Sequence, residues 1–159
     1  MTPSLDGEIR DGRHRMQIRV YYEDTDFSGI VYHASYLRFM ERGRTNHLRL
    51  MGAEQHTLFE QAHDETPGFA FVVRSMQIEF LKPARMDDLL DVVTRPEEVK
   101  GASILLAQEV LRDTDVLIEA KVRVIGRPLE PTFSSFSQIS AALTSGLFAI
   151  LETKSFHFG

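Results

Sequence analysis

The residues best suited to chemistry fall in one stretch, YYEDTDFSGIVYHASY, from Tyr21 to Tyr36. Glu23, Asp24, Asp26 and His33 lie close together there, with Gly29 between the last two. An ionised carboxylate can attack an electrophilic carbon or take a proton from water, and a neutral imidazole both donates and accepts hydrogen bonds. The same residue types have a plainer use. Asp favours turns and helix starts, where its oxygens accept backbone N–H bonds. Grouped carboxylates also suit a hard cation, but this compact cluster lacks the regular ligand spacing of a calcium loop, so no metal is expected. The residues alone leave a catalytic centre and an acidic capping loop both open.

Whatever the stretch does, its neighbours must hold it. Met16, Ile18, Val20 and Tyr22 alternate with Gln17, Arg19 and Tyr21, the period of a half-buried strand. After the stretch, Ala34 to Met51 reads as a helix, with Gly52 suited to a left-handed stop. Tyr36, Leu37, Met40, Gly43, His47 and Met51 share one helix face, and Arg38, Arg42, Thr45 and Arg49 form a solvated basic stripe opposite. Gly43 costs helix stability in the middle of the buried face, a cost explained if a sheet comes close. Arg44, on the apolar side beside Glu41, predicts a partly buried ion pair at i,i+3.

Four strand-like segments follow a polar connection from Gly52 to Gly68: Phe69 to Leu81, Leu89 to Thr94, Ile104 to Leu111 and Val116 to Val124. KPARMDD, EEVKGAS and RDTD separate them as breaks and turns. In the first, Val72, Met76, Ile78 and Phe80 alternate with Val73, Ser75, Gln77 and Glu79, which leaves Arg74 on the apolar side and in need of a partner. One strand, a long helix and four mostly antiparallel strands make an α+β layer architecture, a helix on an antiparallel sheet.

The 159 residues suffice for one domain with a real core, and the formal charge of −5 argues against a general nucleic-acid binder. With no cysteine, disulfides, thiol catalysis and cysteine-ligated metals are excluded. The N-terminal MTPSLDGEIRDGRHR has no apolar signal-peptide core, and Ala141 to Leu151 is too short to span a bilayer. A cytoplasmic protein is expected.

RVYYEDTDFSGIVYHASYLRFMERGRTNHL, from Arg19 to Leu48, resembles the signature of the YbgC-like acyl-CoA thioesterases, in the 4-hydroxybenzoyl-CoA thioesterase group of hot-dog proteins. FVVRSMQIEFLKPARMDDLLDV, the VKGAS turn and the EAKVRV strand continue the match, roughly from Met16 to Val124. The resemblance implies a hot-dog fold, a five-stranded antiparallel sheet wrapped around one long central helix. The domain then spans residues 16–125, between a flexible arm (1–15) and a divergent extension (126–159) of no assigned role.

It also implies acyl-CoA thioester hydrolysis. Asp26 becomes the nucleophile or general base, and the oxyanion contact falls to the backbone N–H of His33, whose side chain orients substrate or water. Gly29 lets the loop turn, while Tyr32, Arg74, Lys100 and Ser103 contact substrate. Lys82, Arg85 and Arg112 are further cations for coenzyme A phosphates, and Phe27, Tyr36 and Phe39 join Tyr32 as candidates for the acyl pocket. Glu41 is the rival carboxylate, since a related hot-dog clade works with an acid on its central helix. Short- to medium-chain or aromatic acyl groups are expected, carried on coenzyme A or on acyl carrier protein, and no cofactor is needed. Assembly as a homodimer or homotetramer is expected, because hot-dog sites form where two subunits meet. A hot-dog hydratase or dehydratase is the alternative enzyme, although its proline–glycine-rich signature is missing. A non-catalytic acyl-carrier-binding module is the third reading.

Overall fold

A computed structural model of the chain describes residues 4–60 and 69–128, with side chains for all of these but 52–60, 69–70 and 127–128. The order is β1 (Glu8–Arg10), β2 (Arg13–Arg19), a short 3-10 turn (Tyr22–Asp24), α1 (His33–Glu60), β3 (Phe69–Phe80), β4 (Leu89–Lys100), β5 (Ser103–Arg112) and β6 (Asp115–Pro128). All strands join one antiparallel sheet in the order β1-β2-β4-β5-β6-β3. Helix and sheet together make the hot-dog arrangement, with six strands among the described residues and not five.

Of the arm expected over residues 1–15, 1–3 lie outside the described residues, and Glu8–Arg10 and Arg13–Arg15 are in strands. Burial alternates without interruption from Arg13 to Val20, so β2 begins ahead of Met16 and buries His14. Asp11 and Gly12 both have positive φ, at 53° and 71°, the geometry of a tight hairpin that returns the chain onto β1. Helix α1 likewise runs on through Gly52, where a stop was expected. A helical glycine costs about 1 kcal/mol relative to alanine, which does not by itself end a helix. The C-terminal extension from residue 129 lies outside the described residues, while 126–128 complete β6.

The strands are longer than their apolar cores suggest. Strand β4 extends to Lys100, and only Gly101 and Ala102 separate it from β5. Pro96 is tolerated because the β2 ladder stops at Thr94, so no neighbour needs its missing N–H on that side. In β3 the register slips between Val73 and Ser75. Arg74 sits at that irregularity and is exposed, so the bulge removes the buried position that strict alternation gave it.

Tyr36, Phe39 and Met40 of α1 pack into a core with Met16, Ile18, Val20, Leu90, Val92, Ile104, Leu106 and Val110. One turn further on the helix nearly touches the sheet. A Cβ on Gly43 would lie 2.8 Å from Val92 Cγ1, 3.1 Å from Thr94 Oγ1 and 3.3 Å from Gln108 Nε2. Beyond this point the interior turns polar. Gln108 accepts from Arg44 Nη1 (2.9 Å) and donates to Thr94 Oγ1 (2.8 Å) and to the Met40 carbonyl (2.9 Å). The expected ion pair of Arg44 with Glu41 does not form. Arg44 is buried against the sheet, where an amide oxygen is within reach, whereas Glu41 faces solvent and accepts from Thr45 Oγ1 (2.6 Å).

His14 and His47 stack inside this polar half, ring centroids 5.7 Å apart and both fully buried. His14 Nε2 lies 2.7 Å from the Asp6 carbonyl, but neither nitrogen of His47 has a hydrogen-bond partner among the described residues. Burial, with His14 adding repulsion, pushes the pKa of His47 down to about 4, and burial lowers His14 as well.

Two outcomes are expected. Gly43→Ala destabilises the fold by about 1–3 kcal/mol in urea titration, because the clash with Val92 outweighs the gain of about 1 kcal/mol in helix propensity. Stability also falls as pH drops from about 6.5, where an unfolded histidine titrates, towards the folded value of about 4 for His47. The unfolded chain binds those protons and the folded one resists them. Thermal melts across pH 4–8 measure the decline, and His47→Leu flattens part of it.

Candidate active site

Two segments build the site by bonding to each other. Residues 20–36 descend from β2 into α1, and residues 82–88 connect β3 to β4. Val20 and Asp87–Asp88 exchange backbone bonds (Val20 N–H to Asp88 O, 2.9 Å; Asp87 N–H to Val20 O, 3.0 Å). Val31 N–H donates to Ala84 O (2.9 Å), Ile30 bridges Arg85, and Ala84 N–H donates to the buried Tyr36 hydroxyl (2.9 Å). Asp88 ties the second segment together by accepting from Arg85 N–H (2.9 Å) and Arg112 Nη1 (2.8 Å).

Within the first segment the chain makes a tight hairpin. Thr25 pairs with Val31, Asp26 N–H donates to Ile30 O (3.0 Å), and Gly29 N–H donates to Asp26 O (3.0 Å). Gly29 has φ 79°, in the left-handed region that favours glycine, and no atom stands within 4 Å of where its Cβ would be. Backbone conformation, and not crowding, is therefore what asks for glycine here.

The two aspartates of this hairpin meet different fates. Asp24 is buried, its Oδ2 accepts from Tyr21 N–H (2.9 Å), and its carbonyl accepts from Tyr32 N–H (2.9 Å) and Ser35 Oγ (3.1 Å). Such a residue braces the loop. Asp26 is exposed, and its Oδ1 accepts from Ser28 N–H (2.8 Å) and from Ser28 Oγ. These bonds, the hydroxyl's first, with a smaller attraction from His33, hold its carboxyl below the usual carboxylate range. Asp26 is thus ionised at neutral pH.

His33 opens helix α1, and its amide has no backbone acceptor among the described residues. An unpaired N–H at the positive end of a helix dipole is a ready donor to a developing oxyanion. The exposed His33 ring lies against Tyr32 (centroids 4.4 Å) and edge-on to Phe80 (6.3 Å). Glu41 begins roughly 12 Å further along the helix, at about 1.5 Å per residue, on its exposed face.

Asp26, Gly29, Tyr32 and His33 are therefore brought together within one chain, and Lys100, Ser103 and Arg74 are not. Strand β4 carries Lys100 away from Leu89, roughly 36 Å along the sheet at about 3.3 Å per residue. Ser103 follows Lys100 at that far end and accepts from Arg123 Nη1 (2.9 Å). Among the described residues Arg85 is a nearby cation, its backbone bridged to Ile30 of the loop. Arg112 and Lys82 share that end of the molecule but are engaged with Asp88 and Asp115 (2.8 and 2.9 Å). Tyr36 and Phe39 are core residues and Phe27 is fully exposed, so these three line no common pocket in one chain. Sequence reasoning missed Phe80 and Ala84 as neighbours of the site. Only the return of the chain after β3 brings them there. Among the described residues no group of His, Asp or Glu is arranged to hold a metal, and no helix is long and apolar enough to cross a membrane.

Comparison with known proteins places the chain in a family. The profile of the thioesterase superfamily matches residues 28–119. The acyl-CoA thioesterase YbgC of Haemophilus influenzae is 46% identical over 114 residues, covering 72% of this chain and 80% of that protein. The acyl-CoA thioester hydrolase YbgC of Escherichia coli O6:H1 is 43% identical over 112 residues, covering 70% and 79%. A probable thioesterase from Bartonella henselae, known by crystal structure, superposes with a TM-score of 0.61 at 39% identity, over 76% of this chain and 95% of that one. The chain belongs to the thioesterase superfamily, in its YbgC-like branch, and is a thioester hydrolase.

The two aspartates can be separated experimentally. Asp26→Asn keeps the shape but loses the charge, and is expected to lower kcat at least about 10²-fold with an unchanged melting temperature. Asp24→Asn is expected to lower the melting temperature instead, with turnover reduced modestly. Near wild-type turnover by Asp26→Asn, together with a dead Glu41→Gln, would move the chemistry to the helix.

Proposed function

We propose that this protein hydrolyses acyl-CoA thioesters of short- to medium-chain or aromatic acids, releasing the free acid and coenzyme A. The observation that carries the reading is an ionised, exposed Asp26 on the hairpin that leads into α1, where the His33 N–H has no backbone acceptor among the described residues. Either the carboxylate attacks the thioester carbonyl, the C–S bond breaks to release coenzyme A, and water hydrolyses the resulting anhydride to the acid, or it takes a proton from a water that attacks the carbonyl and collapse of the adduct breaks the C–S bond. In both, the amide receives the charge that develops on oxygen. The names of the YbgC relatives support coenzyme A as the thiol carrier. It enters as part of the substrate, and the reaction needs no other cofactor. Acyl carrier protein is the alternative carrier.

The working form in this reading is a homodimer or homotetramer in the cytoplasm. Strand β3 is a sheet edge with exposed Val72 and Val73, a surface that pairing with a second copy would cover. Such pairing also gives Arg74, Lys100 and Ser103 a route to a substrate bound at another subunit's loop. Arg85 joins them as a phosphate contact from within the same chain.

A panel of acyl-CoAs assayed for thiol release tests the proposal. Release from short- to medium-chain or aromatic substrates is the expected result. An altered acyl chain on an intact thioester would identify a hydratase or dehydratase, and saturable binding without turnover would identify a carrier-binding module.

A further inference from the structure

The hairpin tip contains a residue that the chemistry above leaves unused. Ser28 follows Asp26 by two positions and gives it both of its donors, the backbone N–H at 2.8 Å and the side-chain Oγ. Both bonds end on the same oxygen, Oδ1. Among the described residues Oδ2 has no partner. The arrangement has a backbone cause: Asp26 N–H to Ile30 O and Gly29 N–H to Asp26 O close a four-residue turn, with Phe27 and Ser28 at its corners. Phe27 is fully exposed, and the hydrogen bonds of the Asp26 carboxylate among the described residues are those from Ser28.

We propose that Ser28 is a positioning residue that engages Oδ1 of Asp26 from two donors and so leaves Oδ2 as the single oxygen free to react. The role rests on Asp26 being the reactive carboxylate. A freely rotating carboxylate presents two equivalent oxygens in many directions. One oxygen pinned twice fixes the plane of the group and the direction in which the other faces, and a reacting group held in one geometry gains rate without new contacts. The same bonds stabilise the charged form, which accords with the lowered pKa of Asp26. Holding the carboxylate ionised keeps it competent in mildly acidic solution.

The side chain and the backbone contribute separately, which makes the role testable. Ser28→Ala removes the Oγ bond and keeps the N–H bond, while Ser28→Thr restores a hydroxyl. The measurements are kcat and KM against pH for wild type and both variants, and the Asp26 titration followed by carboxyl 13C NMR on the same proteins without substrate. For Ser28→Ala the expected result is a kcat roughly three- to tenfold lower above the acid limb, with KM and the melting temperature unchanged. Its acid limb of kcat and its Asp26 titration both move to higher pH, because the lost bond favoured the ionised form. Ser28→Thr returns both towards wild type.

An Asp26 titration that does not move in Ser28→Ala overturns the proposal, whatever the activity does. A titration that moves while the acid limb stays fixed shows that Asp26 is not the group controlling the rate, and the positioning role fails with the catalytic reading. In that second case Asp26→Asn also keeps its turnover, so the two failures are told apart.

Discussion

The structure depends on how closely the sheet approaches helix α1 at Gly43. A hydrogen is all the helix can present there, since a methyl group would enter the contact distance of Val92 and Thr94. Apolar layers on the N-terminal side, formed by Tyr36, Phe39 and Met40, fill the wider space between helix and sheet. On the C-terminal side the same closeness lets one amide, Gln108, bond to the helix backbone at Met40, to Thr94 on the next strand and to Arg44. Gln108 joins α1, β4 and β5 with directional bonds at the place where packing has least volume to work with.

Fixing the helix fixes its first turn, and that turn is where the site is built. The loop before it would be free if it relied on its own residues. It is instead tied to residues 82–88 by backbone bonds at Val20, Ile30 and Val31, and by the Tyr36 hydroxyl that accepts from Ala84. Asp88 holds that second segment in turn, using Arg112 from the end of β5. A line of bonds therefore runs from the sheet to the hairpin that carries Asp26. Exposed loops carry reactive groups well when a rigid scaffold positions them in this way.

Two aspartates separated by a single threonine show how environment assigns roles. Asp24 points inward, is buried and accepts a backbone N–H, so its side chain braces the loop. Asp26 points outward, with one oxygen engaged by Ser28 and the other without a hydrogen bond among the described residues. The chemical difference between them comes from direction, solvent and partners. The polar half of the core makes the same point with histidine, where burial drives the His14–His47 pair towards the neutral form with three ring nitrogens lacking hydrogen-bond partners among the described residues.

Much of this was legible in the sequence. Period-two alternation marked the strands, the face shared by Tyr36, Met40, Gly43 and His47 marked the buried side of the helix, and a glycine in that face predicted a close sheet. The ordered pattern from Arg19 to Leu48 indicated the family and drew attention to Asp26 and His33. These are local signals, carried by spacing along a single element. What the sequence could not state was which distant residues meet. The β1 strand was hidden because three residues are too few for a period, and Arg74 was misassigned because a bulge is set by pairing with β6. Arg44 met Gln108, 64 positions away, in preference to the nearby Glu41, because burial removed water as a competitor and left a sheet amide within reach. Tertiary structure alone brought Arg85 and Phe80 to the loop between β2 and α1 and carried Lys100 to the far end of the sheet, because strand length and order, and not residue type, set those distances.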